Sequence, residues 1–148
     1  MYVKLTVNIE ELYEQGNYLA VINHLEGSSD ENHMPILAFS YQKTKRWENA
    51  MECWNRMIAK YPNNAEYYNE RGVCKFNMRF KHAIQDFDRA VELEPNNPYF
   101  YSCRAYIKDK TGDTEGSVED YTKSLSLDPT DAITMNNLGL AEQKLGHT

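Results

Sequence analysis

Apolar residues recur along this chain at steps of one, three and four. In "RWENAMECWNRMIAKYP" they are Ala50, Met51, Trp54, Met57 and Ile58, and in "RFKHAIQDFDRAVELEP" they are Ala83, Ile84, Phe87, Ala90 and Val91. This is the period of an amphipathic helix and not the two-residue alternation of a strand. Each run closes on proline, which lacks the amide donor and disfavours helical backbone in the residue before it. The stretch "AIQDFDRAVELEPNNPYFY" therefore predicts a helix that stops at Pro95, an Asn-rich turn, and a new helix carrying tyrosines.

The pattern repeats. Pro62, Pro95 and Pro129 lie 33 and 34 residues apart, and the same interval separates Ala38, Gly72, Ala105 and Gly139. It also separates Ala50, Ala83 and Ser117, then Trp54, Phe87 and Tyr121, then Met57, Ala90 and Ser124. A small residue stands four after Met34, Tyr68, Tyr101 and Met135, which puts each pair on one helix face a turn apart. Antiparallel helices approach to about 8–10 Å only where small side chains on one meet bulky ones on the other. An array of stacked helix pairs is predicted, all-α throughout, with these small and large positions as its core.

Composition narrows the chemistry. A length of 148 residues, 41% hydrophobic and with few Gly and Pro, suits one folded domain and excludes a disordered chain. The net charge of −6, without a cluster of Lys or Arg, disfavours nucleic acid and anionic membranes. Cys53, Cys74 and Cys103 lack paired metal or disulfide spacing, which fits a reducing, cytoplasmic setting. His24, His33, His82 and His147 lack a metal-binding spacing, and neither a Gly-rich phosphate loop nor a G-x-S-x-G elbow occurs. No metal, cofactor, catalytic residue or enzyme activity is expected. No stretch is long and apolar enough for a transmembrane helix, and no signal peptide opens the chain, so a soluble protein is expected.

These residues resemble the tetratricopeptide repeat, a 34-residue helix-turn-helix family. The unit 31–64 carries Met34, Leu37, Ala38, Tyr41, Ala50, Trp54, Met57 and Pro62 at the family's packing positions. The unit 65–97 carries Tyr68, Gly72, Ala83, Phe87, Ala90 and Pro95, and is one residue short, which predicts a tighter turn between Phe76 and Phe80. The unit 98–131 carries Tyr101, Ala105, Ser117, Tyr121, Ser124 and Pro129. Arg71 and Arg104 stand where the family has Leu, and their heads are expected to reach solvent. Residues 132–148, with Met135, Leu138, Gly139, Ala141 and Leu145, match a first helix alone. Residues 1–30, with Leu5, Ile9, Leu12, Gly16, Tyr18, Val21 and Leu25, fit a degenerate repeat or cap.

The resemblance implies one domain: a right-handed superhelical solenoid of about three full repeats with flanking helices, whose concave wall is built from the first helix of each pair. It places Phe39, Lys43, Glu66, Asn69, Glu70, Val73, Tyr99, Ser102, Tyr106, Asp109 and Asn136 in a peptide-binding groove. Where one subfamily grips a C-terminal carboxylate with Lys, Arg and Asn, this chain has Pro35, Phe39, Glu70, Tyr99 and Cys103, so that clamp is absent. The implied function is a scaffold binding a protein or peptide segment, with neutral or basic segments favoured by Glu66, Glu70 and Asp109. The alternative is a structural module that homo-oligomerises through its terminal helices or outer face.

Overall fold

The computed structural model describes residues 6–146, so Leu5, His147 and Thr148 of the sequence reading lie outside the described residues. Helices follow one another in antiparallel pairs: α1 (Ile9–Glu14) with α2 (Tyr18–Leu25), α3 (Met34–Lys43) with α4 (Trp47–Lys60), α5 (Ala65–Asn77) with α6 (Ile84–Leu93), and α7 (Pro98–Lys110) with α8 (Thr114–Leu127). Helix α9 (Ala132–Lys144) ends the array, and a single 3-10 turn at Glu31–His33 leads into α3. No strand occurs among the described residues. The architecture is the all-α right-handed solenoid that the repeat predicts.

The Asn and Asp residues that follow each proline start the next helix. The side chains of Asn64, Asn97 and Asp131 accept from the backbone amides of Tyr67, Tyr99 and Thr134, giving the first turns of α5, α7 and α9 the partners they otherwise lack. The Tyr68 and Tyr101 hydroxyls then donate to the carbonyls of Pro62 and Pro95, each at 2.8 Å, locking the new helix to the end of the old one.

Small beside large is realised closely. A Cβ on Gly72 would stand 2.7 Å from the fully buried Phe87 ring, and Ala38, Ala50, Ala90 and Ala105 are likewise fully buried. Gly72→Ala is expected to destabilise the chain, because overpacking of about 1–3 kcal/mol exceeds the roughly 1 kcal/mol that alanine gains from helix propensity. Phe87→Leu in the same chain should recover most of the loss in urea denaturation. Additive costs would refute the contact.

The turn expected to be tight is not. Lys45, Arg79 and Gly112 occupy the same place in their repeats with φ of 58°, 62° and 99°. Each following amide (Arg46, Phe80 and Asp113) bonds back to Tyr41, Lys75 and Lys108. The missing residue falls instead on the first turn of the second helix: α4 and α8 begin directly after the turn, whereas residues 81–83 form an irregular turn before α6 starts at Ile84. A left-handed turn has little slack, and a helix end can lose a residue by fraying.

Arg71 and Arg104 also depart from expectation, since their heads stay inside the layer of helices. Arg71 grips Asp86 of α6 through Nε and Nη2 at 2.9 and 2.8 Å, with Lys75 Nζ at 3.0 Å from the same carboxylate. Arg104 repeats this on Asp120 of α8 at 2.7 and 2.8 Å, joined by Lys108 at 2.9 Å. Their remaining nitrogens reach back to Asn55 and Asp88 on the preceding second helices. Asp86 and Asp120 are nearly fully buried, which a carboxylate tolerates only when paired and hydrogen-bonded. The matching positions of the first full repeat are Leu37, Tyr41 and Cys53, an apolar set packed in one cluster.

At the N-terminal end His33 ties α1 to the 3-10 turn, with Nδ1 2.5 Å from Asp30 and Nε2 2.9 Å from Glu10. Both acceptors are carboxylates, so both ring nitrogens donate and the imidazolium is the favoured form. The Asp30 hydrogen bond first, then that of Glu10, raises the His33 pKa above 6.5. A raised folded-state value gives stability that is complete below the unfolded pKa and lost as pH rises through the folded one. An NMR titration is expected to place His33 above 6.5, and α1 amides to lose exchange protection as pH climbs past that value. A titration at or below the ordinary histidine value would remove the brace.

Candidate binding groove

The first helices α3, α5, α7 and α9 stand side by side and form one wall. Near its C-terminal end, α5, α7 and α9 surround a hollow of about 410 Å³ whose apolar lining includes Val73, Phe76, Tyr99, Tyr106 and Ile133. Tyr99, Tyr106 and Ile133 are exposed by 53%, 45% and 75%, so three large apolar side chains meet water around one concavity. Isolated exposed apolar residues are ordinary, but a converging set rimmed by Asn77, Ser102 and Asn137 makes this hollow the candidate site.

Of the residues expected in the groove, Val73, Tyr99, Ser102 and Tyr106 line this hollow. Asp109 lines an adjoining crevice of about 590 Å³ with Tyr106 and Lys110, and is paired with Lys144 of α9 at 2.8 Å. That bond holds its carboxyl below the usual range. Lys43 and Glu66 are exposed and Phe39 is half-buried, its ring edge-on to Trp54 with centroids 5.1 Å apart. Asn136 is exposed but lines neither cavity, where Asn137 does. Asn69 and Glu70 are not open groove residues: they are 0% and 6% exposed. Asp131 and Thr134 of the hollow were not anticipated; Asp131 also caps α9 by accepting from the Thr134 amide.

Asn69 and Glu70 belong to a polar chain crossing four helices, α4, α3, α5 and α7. The Trp54 indole N–H donates to Gln42 Oε1 at 2.6 Å, Gln42 Nε2 donates to Glu70 Oε2 at 3.0 Å, and Asn69 Nδ2 donates to Glu70 Oε1 at 3.4 Å and lies 3.7 Å from Cys103 Sγ. Burial pushes the Glu70 carboxyl up, opposed by the Gln42 and Asn69 hydrogen bonds. Burial likewise raises Cys53 and Cys103 to about 11 and Cys74 to about 12, leaving all three as thiols and not thiolates at neutral pH. No group of three or more His, Cys, Asp or Glu able to hold a metal occurs among the described residues, and no described helix is long and apolar enough to cross a membrane.

Residues 36–64 and 101–131 match profiles of the tetratricopeptide repeat, and they fall in the first and third full units. These two units are tetratricopeptide repeats. The shortened unit between those matches carries the same tetratricopeptide packing, with Gly72 against Phe87. No curated protein sequence matches the chain. Among solved structures, the chain is similar to a crystal structure of MamA protein at 20% identity and a TM-score of 0.78, over 94% of this chain and 79% of that one. It is also similar to MamA 41-end from Desulfovibrio magneticus RS-1, at 14% identity and a TM-score of 0.80, over 94% and 82% of the two chains. A third similar structure, the first TPR of Spaghetti (RPAP3) bound to HSP90 peptide SRMEEVD, is 23% identical with a TM-score of 0.72, over 80% of this chain and 95% of that one. At these identities the likeness is one of fold.

Proposed function

We propose that this protein is a non-enzymatic scaffold whose concave wall holds an extended segment of another protein, with an apolar side chain of that segment seated in the hollow between α5, α7 and α9. The observation carrying this reading is the convergence of exposed Tyr99, Tyr106 and Ile133 on a cavity of about 410 Å³. Aromatic side chains on a rigid helical wall supply contact area at low entropic cost, and Ser102, Asn77 and Asn137 supply hydrogen bonds for an extended backbone. A related fold carrying the HSP90 peptide SRMEEVD supports the same use of this architecture. Glu66 and Glu70 favour neutral or basic segments, and the thiols of Cys53, Cys74 and Cys103 suit the cytoplasm.

The test is to isolate binders from a random dodecamer phage library and measure them by fluorescence anisotropy against the wild-type protein and Tyr106→Ala. Loss of an interfacial aromatic is expected to weaken binding by about tenfold or more. Unchanged affinity would place the binding surface elsewhere. The acidic SRMEEVD peptide is expected to give no saturable titration, because no cation stands at the carboxylate-clamp positions and the exposed Glu66 repels it.

Self-assembly is a second reading, favoured by α9. A Cβ on Gly139 would meet nothing within 4 Å, and Met135 is 46% exposed, whereas the equivalent Gly72 is covered by Phe87. Light scattering of wild type and Met135→Glu distinguishes the two: a dimer that dissociates in the variant supports it, and a monomer at high concentration refutes it.

A further inference from the structure

We infer that the segment held in the groove places a lysine or arginine side chain against Glu70 and Glu66, at the centre of the concave wall. This rests on the groove reading above. Asp86, Asp120 and Asp109 each meet a cation at 2.7–3.0 Å, but Glu66 and Glu70 meet none within ion-pair distance among the described residues. They sit four apart on α5, one helical turn, where like charges repel. Glu66 is exposed and marks the approach, while Glu70 is 6% exposed and accepts only from the neutral amides of Gln42 and Asn69. Asn69 Oδ1, fully buried beside it, meets no donor among the described residues. The cluster is therefore short of positive charge and of hydrogen-bond donors, and a guanidinium or ammonium supplies both.

The surroundings leave that place to an incoming cation. Lys43 on α3 acts on Glu70 only at long range and is the last of the influences on it. Glu66 and Cys74 on α5, Tyr99 and Cys103 on α7, and Tyr13 on α1 also interact with Glu70, and none of them is cationic. The exposed face of Tyr99 offers an arginine a surface for stacking on its way to the carboxylates. A metal ion is a poor substitute, since the carboxylates do not gather with other ligands.

Recognition is then linked to protons. In the free protein, burial favours the neutral carboxyl of Glu70, whereas the cation binds the carboxylate. At pH values near the raised Glu70 pKa, association with a cation therefore releases a proton, and affinity rises as pH increases through that range.

The experiment starts from the dodecamer library panned on wild type and on Glu70→Gln, which keeps the shape and one of the two accepting oxygens but not the charge. A thermal melt establishes that the variant is folded, and selected peptides are titrated by anisotropy between about pH 5 and about pH 8. Support is enrichment of Lys or Arg at one fixed place with wild type and its loss with Glu70→Gln. An affinity about tenfold or more lower for the variant, as expected for a charged hydrogen bond, and a pH dependence present in wild type alone complete the case. Should Glu70→Gln lose its fold, carboxyl NMR of wild-type Glu70 with and without peptide replaces it, and an unchanged titration on binding refutes the inference. Peptides that bind both proteins alike, yet lose affinity with Tyr106→Ala, overturn the inference and leave the groove reading intact. A library that enriches nothing, or binders indifferent to Tyr106→Ala, overturns both.

Discussion

Asp86→Ala is expected to lower the stability of the chain by about 3 kcal/mol, a fall of roughly 10 °C in melting temperature for a domain of this size. The carboxylate pairs with both Arg71 and Lys75, so its removal leaves two cations without a counter-charge in the layer between α5 and α6. Arg71 keeps Asn55 and the Tyr68 ring, 5.5 Å from its guanidinium, but neither supplies negative charge. Exposures of 20% and 26% let water reach the stranded heads in part, which sets the figure at the lower end of what breaking a buried pair costs. The chain supplies its own control. Converting the triad to the residues of the first full repeat, by Arg71→Leu, Lys75→Tyr and Asp86→Cys together, is expected to be neutral within about 1 kcal/mol or stabilising, as for other buried ion pairs replaced by apolar groups of similar volume. Urea denaturation reads both. A triple variant as unstable as Asp86→Ala would mean that the charges themselves hold the repeat.

The contrast between the two solutions follows from what lies behind each first helix. Leu37 also packs on Val21 and Leu25 of the apolar N-terminal unit, where a charge would be stranded. Arg71 and Arg104 instead face Asn55 and Asp88, polar positions on α4 and α6 that accept their free nitrogens. Each arginine thus joins two second helices through one first helix. An apolar side chain would fill the space without fixing the register of that contact.

This network shows where sequence reading succeeds and where it stops. The helices, their order and the small-to-large contacts were legible, because a period of 33 to 34 residues marks which faces must be buried, and Gly72 against Phe87 follows directly. The Arg–Asp–Lys triads were not, although Asp86 and Asp120 precede Phe87 and Tyr121 in the same register. One helix face seen alone looks like a solvated charged face, and only the facing helix reveals the partner. Tyr99 and Tyr106 were expected on the concave wall, and both line the hollow between α5, α7 and α9. The burial of Asn69 and Glu70 was not, since it depends on Gln42 reaching across from α3.

Trp54→Ala is expected to cost about 3–5 kcal/mol, the range for emptying a large core aromatic, and to shift the melting point by about 10 °C or more. The side chain is fully buried, edge-on to Phe39 and 5.7 Å from Tyr67, so its loss opens a cavity between the first and second full repeats. Trp54→Phe separates volume from polarity. It retains a ring but removes the indole N–H that donates to Gln42, at a net cost of about 1 kcal/mol for the hydrogen bond, plus a smaller packing loss. Freed of that donor, the Gln42 amide no longer has one orientation fixed by Trp54, and its bond to Glu70 weakens. Because that bond lowers the Glu70 pKa, the carboxyl titration is expected to move further upward in Trp54→Phe while the fold persists. An unchanged Glu70 titration would break the link from core to groove, and a Trp54→Ala cost no larger than that of Trp54→Phe would deny the tryptophan its place in the core.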